Sequence, residues 1–197
     1  MVLLADKITD YLISRGVIAE EDYSIYHYGF QTGIELFICL FAGTIIACIL
    51  NIFFEFIVVL SVLLPLRAYI CGIHMKSFIS CFFCSVVLVT CGPLLARNIM
   101  LSKLCIILVC IGIAVVLDRL AFITTKYQSD SEEVVFFARQ RKRILVCILL
   151  ILVLFSIFDA KGLMKQVLYA LVVALVSVMA ELVLIKQKDT PEISNPD

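Results

Sequence analysis

His74 and Cys81 are the residues of this chain best equipped for covalent chemistry, and they stand in one polar stretch, RAYICGIHMKSFISC, residues 67–81. A cysteine nucleophile needs a base that removes its proton and, as imidazolium, stabilises the thiolate; histidine has the pKa for that exchange near neutral pH. On a straight helix a spacing of seven puts both side chains on one face but about 10 Å apart along the axis, beyond hydrogen-bonding reach. The pairing therefore requires a bend. Gly72 has the backbone freedom for a turn through Lys76 that folds His74 back over a helix starting near Ser77, with Cys81 in its first turns. That helix start, Lys76 and Arg67 would all lower the thiol pKa, and Arg67 could instead hold a substrate carboxylate or the backbone around the site. Ser77 and Ser80 are close enough to orient the imidazole, although serines there commonly only cap helices. No third catalytic group is assignable. On spacing alone a blander account competes: His74 a polar residue at the membrane interface, Cys81 a small hydrophobe, Arg67 and Lys76 charge anchors, and Pro65 the end of the preceding helix.

The elements that hold this stretch are read from hydropathy. With 63% hydrophobic residues among 197 and a mean hydropathy of +1.12, the chain is not an ordinary soluble domain, and the bilayer is its expected solvent. Apolar runs at 34–50, 52–66, 78–96, 104–117, 144–158 and 167–185 predict an all-α integral membrane protein with about six hydrophobic helices. A crossing needs roughly 20 apolar residues, which only the third and sixth runs approach comfortably. The first two, joined at Asn51, are either two tilted crossings or a re-entrant pair. Ahead of them, residues 1–33 predict an amphipathic segment at the membrane surface. Glu20, Glu21 and Asp22 stand at a helix start, and Tyr23, Tyr26 and Phe30 form one aromatic face suited to the interface or to packing on the protein. No linker divides the chain, so one domain is expected, with its membrane core at 34–185 and a polar tail at 186–197. The N-terminus carries acids where a signal peptide is basic and lacks a small-residue cleavage site, so it is expected to stay attached.

Charge is informative by position rather than by sum, since the net charge of +0 gives no reason to expect nucleic acid. With the N-terminus inside and six crossings, twelve of the sixteen Lys and Arg residues fall on the cytoplasmic side, and Arg97, Lys103, Lys161 and Lys165 fall outside. A re-entrant first pair leaves the count unchanged. The densest cluster is Arg139, Arg141, Lys142 and Arg143, placed to meet anionic headgroups or to receive an acidic peptide. Seven of the nine cysteines lie inside apolar runs as small hydrophobes, leaving Cys71 and Cys81 beside polar chemistry. Among the carboxylates in or beside apolar runs, Asp118, Asp159 and Glu181 are expected to reach water near run ends, and Glu55 to line a polar cavity near the site.

The pattern R-x4-G-x-H-x6-C between two apolar runs resembles the accessory gene regulator B family of bacterial membrane cysteine endopeptidases. Length, the acidic and aromatic N-terminal segment, the rhythm of apolar runs and the basic fourth break are similar to that family as well. The resemblance implies that Cys81 is the nucleophile and His74 its base, with Arg67 and Gly72 in supporting positions. It implies an autoinducer precursor peptide with an acidic C-terminal tail as substrate. This would be cut through an acyl-enzyme and closed to a cyclic thiolactone or lactone, with no metal or organic cofactor, in a homodimer in the bacterial cell membrane. Two other classes remain: a small permease or exporter, which would not need Cys81, and a structural subunit that needs neither Cys81 nor His74.

Overall fold

The computed structural model describes residues 2–70, 78–128 and 131–188, with side chains for 3–70, 82–124 and 134–186. The described residues are helical throughout, without strands: α1 (Val2–Ser14), a 3-10 turn (Glu20–Asp22), α2 (Tyr23–Ile49), α3 (Phe53–Tyr69), α4 (Phe78–Arg97), α5 (Lys103–Gln128), α6 (Ser131–Ile157) and α7 (Lys161–Lys188). The chain divides into two compact units, residues 1–51 with 75–90, and residues 52–74 with 91–197.

In the first unit α1 packs on α2 through Ala5 and Thr9, its two fully buried positions. Gly16 ends α1 with φ +68, and Val17 N–H returns to the Leu12 carbonyl at 3.0 Å, a cap that only a residue without a Cβ enters freely. The three acids do stand at a helix start, but the aromatic segment is not a helix of its own. It forms the opening turns of α2, which runs unbroken through the first apolar run, because nothing between Tyr23 and Ile34 breaks a helix strongly enough. The amphipathic helix of the N-terminal segment is α1. At 27 residues α2 is about 40 Å long, more than a bilayer core requires. Phe37, Phe41, Ile45 and Ile49 are exposed along it, which suits lipid and not water.

The second unit is a bundle in which α7 touches α3, α5 and α6. Its central place is written in its burial: Met164, Val167, Leu168, Ala170, Leu171, Ala174 and Val178 cover two adjoining stripes, where a peripheral helix buries one. Phe56, Val59, Val62 and Leu66 of α3, Ile106, Cys110, Ala114, Leu117 and Ala121 of α5, and Leu145, Ile148 and Leu152 of α6 supply single stripes at helical spacing. Pro65 does not end α3 as the blander account has it. The helix continues to Tyr69, so Arg67 lies in its last turn, where a cation meets the negative end of the dipole.

Among the described residues three helical stretches are long and apolar enough to cross a bilayer, Glu20–Ile49, Lys103–Thr124 and Lys161–Lys186, and Phe82–Arg97 within α4 is a shorter apolar stretch. The first and fourth runs are thus better crossings than their apolar cores alone suggest, because α2 and α5 extend past the strictly apolar residues. At 17 residues, or about 26 Å, α3 is the short one.

Candidate active site

The candidate residues, 67–81, run in sequence from the last turn of α3 into α4. Arg67 is exposed in the last turn of α3. Tyr69 follows, its ring 6.2 Å from that of Phe137 on α6, and the chain leaves the helix at Ile70 in extended conformation (φ −121, ψ 121), with the Ile70 side chain buried. Gly72, His74 and Lys76 lie outside the described residues, as does the side chain of Cys81. The backbone places Cys81 in α4 (Phe78–Arg97), and the expected helix start near Ser77 lies outside the described residues.

The basic cluster on α6 is divided by the helical period. Arg139, Lys142 and Arg143 share one exposed face and, with Val146 and Cys147, line an open groove of about 520 Å³. Arg141 points the other way. It is 1% exposed, its Nε donates to Asp118 Oδ1 at 3.1 Å and its Nη2 to the Asp118 carbonyl at 3.2 Å. Arg141 is therefore not part of the exposed cationic surface, and Asp118 does not simply reach water. The sequence held a signal for this pair: Asp118 precedes residues 129–130 by eleven positions and Arg141 follows them by eleven, so an α5–α6 hairpin brings them level.

Glu55 also departs from expectation. It stands in the first turn of α3, about 18 Å along the helix from Arg67, and accepts hydrogen bonds from Arg97 Nε at 3.1 Å and Nη2 at 2.6 Å. Its partner lies toward the end of α3 opposite Arg67, and the side chains of residues 71–81 lie outside the described residues. Around it lies a polar cluster: Lys165 Nζ donates to the Arg97 carbonyl at 2.9 Å, the buried Gln166 donates to the Pro93 carbonyl at 3.2 Å, and Lys103 pairs with Asp159. Asp159 is solvent-exposed as expected, and the hydrogen bond and charge of Lys103 hold its carboxyl below the usual carboxylate range. Arg97, Lys103 and Lys165, three of the four residues assigned outside, thus gather at one end of the second unit. The Tyr69–Phe137 and Asp118–Arg141 contacts lie at the other.

Sequence reasoning passed over His27. In the first unit its Nε2 lies 2.8 Å from Asp6 Oδ1, its ring stacks on Tyr23 at 5.7 Å, and the Tyr23 hydroxyl donates to the same carboxylate oxygen at 3.4 Å. Tyr23 therefore joins α2 to α1, while Tyr26 leans on Phe30 at 6.5 Å.

An all-helical chain with helices long and apolar enough to cross a bilayer defines an integral membrane protein. The model of the family described as accessory gene regulator B matches residues 5–185, and the chain belongs to that family. It accordingly has a role in the agr quorum-sensing system. No curated protein and no solved structure matched the chain.

Proposed function

We propose that the chain is a membrane-embedded cysteine endopeptidase that cuts an autoinducer precursor peptide and prepares its cyclisation, with residues 1–197 acting as one peptidase domain. The observation that carries this reading is the string Arg67, Gly72, His74, Cys81 between the end of α3 and the start of α4 in a member of this family. His74 takes the Cys81 proton, and the thiolate sulfur attacks the scissile carbonyl. As the S–C bond of a thioester forms, the peptide C–N bond breaks and the imidazolium returns its proton to the departing amine of the acidic tail. An internal thiol or hydroxyl of the precursor then attacks the thioester, closing a thiolactone or lactone and releasing Cys81. Thioester and thiolactone are of similar energy, so ring closure needs no outside energy source when the released tail is removed. A helix start near Ser77 would put Cys81 in the first turns, where unpaired backbone N–H groups favour a thiolate.

Arg67 and Lys76 add positive charge around the thiolate. The acidic tail docks on Arg139, Lys142 and Arg143, whose shared exposed face supports that role; Arg141, committed to Asp118, is left out of it. The active site and both termini face the cytoplasm, and the enzyme works as a homodimer. Co-expression with a candidate precursor peptide, followed by mass spectrometry, tests the reading. Wild-type protein should release the acidic tail and Cys81→Ala or His74→Ala should not; tail release by a well-expressed Cys81→Ala variant would overturn it.

A further inference from the structure

We propose that the groove on α6 bounded by Arg139, Lys142 and Arg143 is a site for one anionic phospholipid, the cations holding its headgroup phosphate and the helix face beyond them lying along an acyl chain. The inference does not depend on the peptidase reading, since it concerns what occupies this face in the membrane before any peptide reaches it.

The headgroup end is built from two forks and a point charge. Arg139 and Arg143 are four residues apart on one exposed helix face, so their side chains leave the backbone about 5–6 Å from each other. At that separation both guanidinium groups can grip the oxygens of a single phosphate, which planar paired donors match better than an ammonium does. Lys142 adds a third cation on the same face, and Arg143 Nη1 donates to Gln140 Oε1 at 3.4 Å, an uncharged partner that leaves the guanidinium charge uncompensated. None of the ion pairs among the described residues uses these three cations, whereas Arg97, Lys103 and Arg141 each meet a carboxylate.

The other end of the groove is apolar. Val146 and Cys147, one turn beyond Lys142 and Arg143, complete the lining of its roughly 520 Å³, just past the point where the apolar run begins at Ile144. Leu150, Val153, Leu154 and Ile157 continue the same exposed face at spacings of three and four. From Arg143 to Ile157 the helix rises about 21 Å, enough to accompany an acyl chain through half of a bilayer core, about 15 Å. This order of groups decides between occupants. An acidic peptide or a free phosphate would engage the cations and leave the apolar strip untouched, whereas headgroup and chain of one phospholipid match both parts in the sequence in which α6 presents them. An acidic tail arriving at the same cations would exchange with the headgroup.

The test uses the full-length protein in phosphatidylcholine nanodiscs doped with a phosphatidylglycerol that carries a photoreactive group in its acyl chain, with labelled peptides identified by mass spectrometry. Labelling should concentrate on residues 146–157 and be competed by unlabelled phosphatidylglycerol, but not by phosphatidylcholine or by glycerol 3-phosphate, which has no chain. Arg139→Gln with Arg143→Gln should lower it by roughly tenfold or more, while labelling at the exposed Phe37 and Phe41 of α2 stays the same. Val146→Trp, which keeps all three cations and fills the groove, should lower it as well, and this variant decides if the charge variant fails to insert. Equal labelling of residues 146–157 in wild type and Val146→Trp, or competition by phosphatidylcholine as effective as by phosphatidylglycerol, would mean ordinary surrounding lipid only and overturns the site. Binding of a synthetic acidic peptide to these cations that phosphatidylglycerol fails to weaken would assign the face to peptide alone and overturn it too.

Discussion

At the scale of single residues, the most consequential result is the division of labour within four neighbouring cations. Arg139, Lys142 and Arg143 are exposed, whereas Arg141 is the largest fully buried side chain among the described residues. Replacing Arg139 and Lys142 by Glu should therefore slow precursor cleavage while leaving protein abundance near normal, and Lys substitutions in the acidic tail of the precursor should partly restore the rate. Unchanged cleavage by a correctly inserted double variant would leave those residues only a membrane-facing role. Arg141→Met should behave differently, removing most of the folded protein from the membrane. It leaves Asp118 partly buried without its cation, a loss of about 3–5 kcal/mol for a fully buried pair and less here because Asp118 is partly exposed. A third residue makes a prediction about pH. Lys103 depresses the carboxyl pKa of Asp159, so the stabilisation is present above the ordinary carboxylate pKa and is lost as pH falls through the lowered folded value. Asp159→Asn is a fair probe, since asparagine tolerates the left-handed backbone at φ 57. Melting temperatures of the wild type and Asp159→Asn should differ slightly at neutral pH and converge in strong acid, the difference being small because the pair is exposed.

Among the elements, the end of α4 meets α7 through long side chains that reach across to it. A Cβ on Gly92 would overlap the ring of Tyr169, and on the same two helix faces Gln166 bonds the Pro93 carbonyl and Lys165 the Arg97 carbonyl. Gly92 is thus required by contact rather than by backbone conformation. Gly92→Val should lower the melting temperature in detergent by an amount equivalent to about 1–3 kcal/mol, and a second change, Tyr169→Ala, should recover part of it; additive losses would show that the two positions do not compete for space. The elements were legible in sequence where hydropathy alone decides them. Each of the six apolar runs lies within a helix to within one residue at its ends. They were not legible where a helix outlasts its apolar run. Tyr23 to Thr32 is polar enough to read as a separate surface segment, yet it continues into α2 because an interfacial helix can enter the bilayer without a break. Pro65 read as a terminator, but a proline removes only one hydrogen bond, and burial of Leu66 and Ile70 on either side of Arg67 carries α3 four residues further. The Asp118–Arg141 pair needed a level alignment of two helices, which the spacing permits but only the packing of α5 on α6 establishes.

For the molecule as a whole, the distribution of charge makes the strongest claim. The twelve-to-four division of Lys and Arg was read from loops, before any contact was known. In the second unit the contacts divide the same residues: Arg97, Lys103 and Lys165 meet partners at one helix end, while Arg141 lies with Asp118 toward the other, on the side of Tyr69 and Phe137. The outward-assigned residues are largely consumed by internal bonds. Arg97 serves Glu55, Lys103 serves Asp159 and Lys165 serves a carbonyl, whereas Arg139, Lys142 and Arg143 present their charges together on an exposed face. This asymmetry favours the α6 face as the side held at the cytoplasmic surface, because exposed cations retain both the attraction of anionic headgroups, about 1 kcal/mol each, and the bias that sets orientation during insertion. The prediction is that cysteines introduced at Lys142 and Lys161, in a background lacking other reactive thiols, will label from opposite sides of intact cells. An impermeant maleimide should modify the Lys161 position from outside and reach the Lys142 position only after permeabilisation. Labelling at Lys142 in intact cells, with none at Lys161, would invert the orientation and place the acidic-tail surface on the wrong side for a precursor made in the cytoplasm.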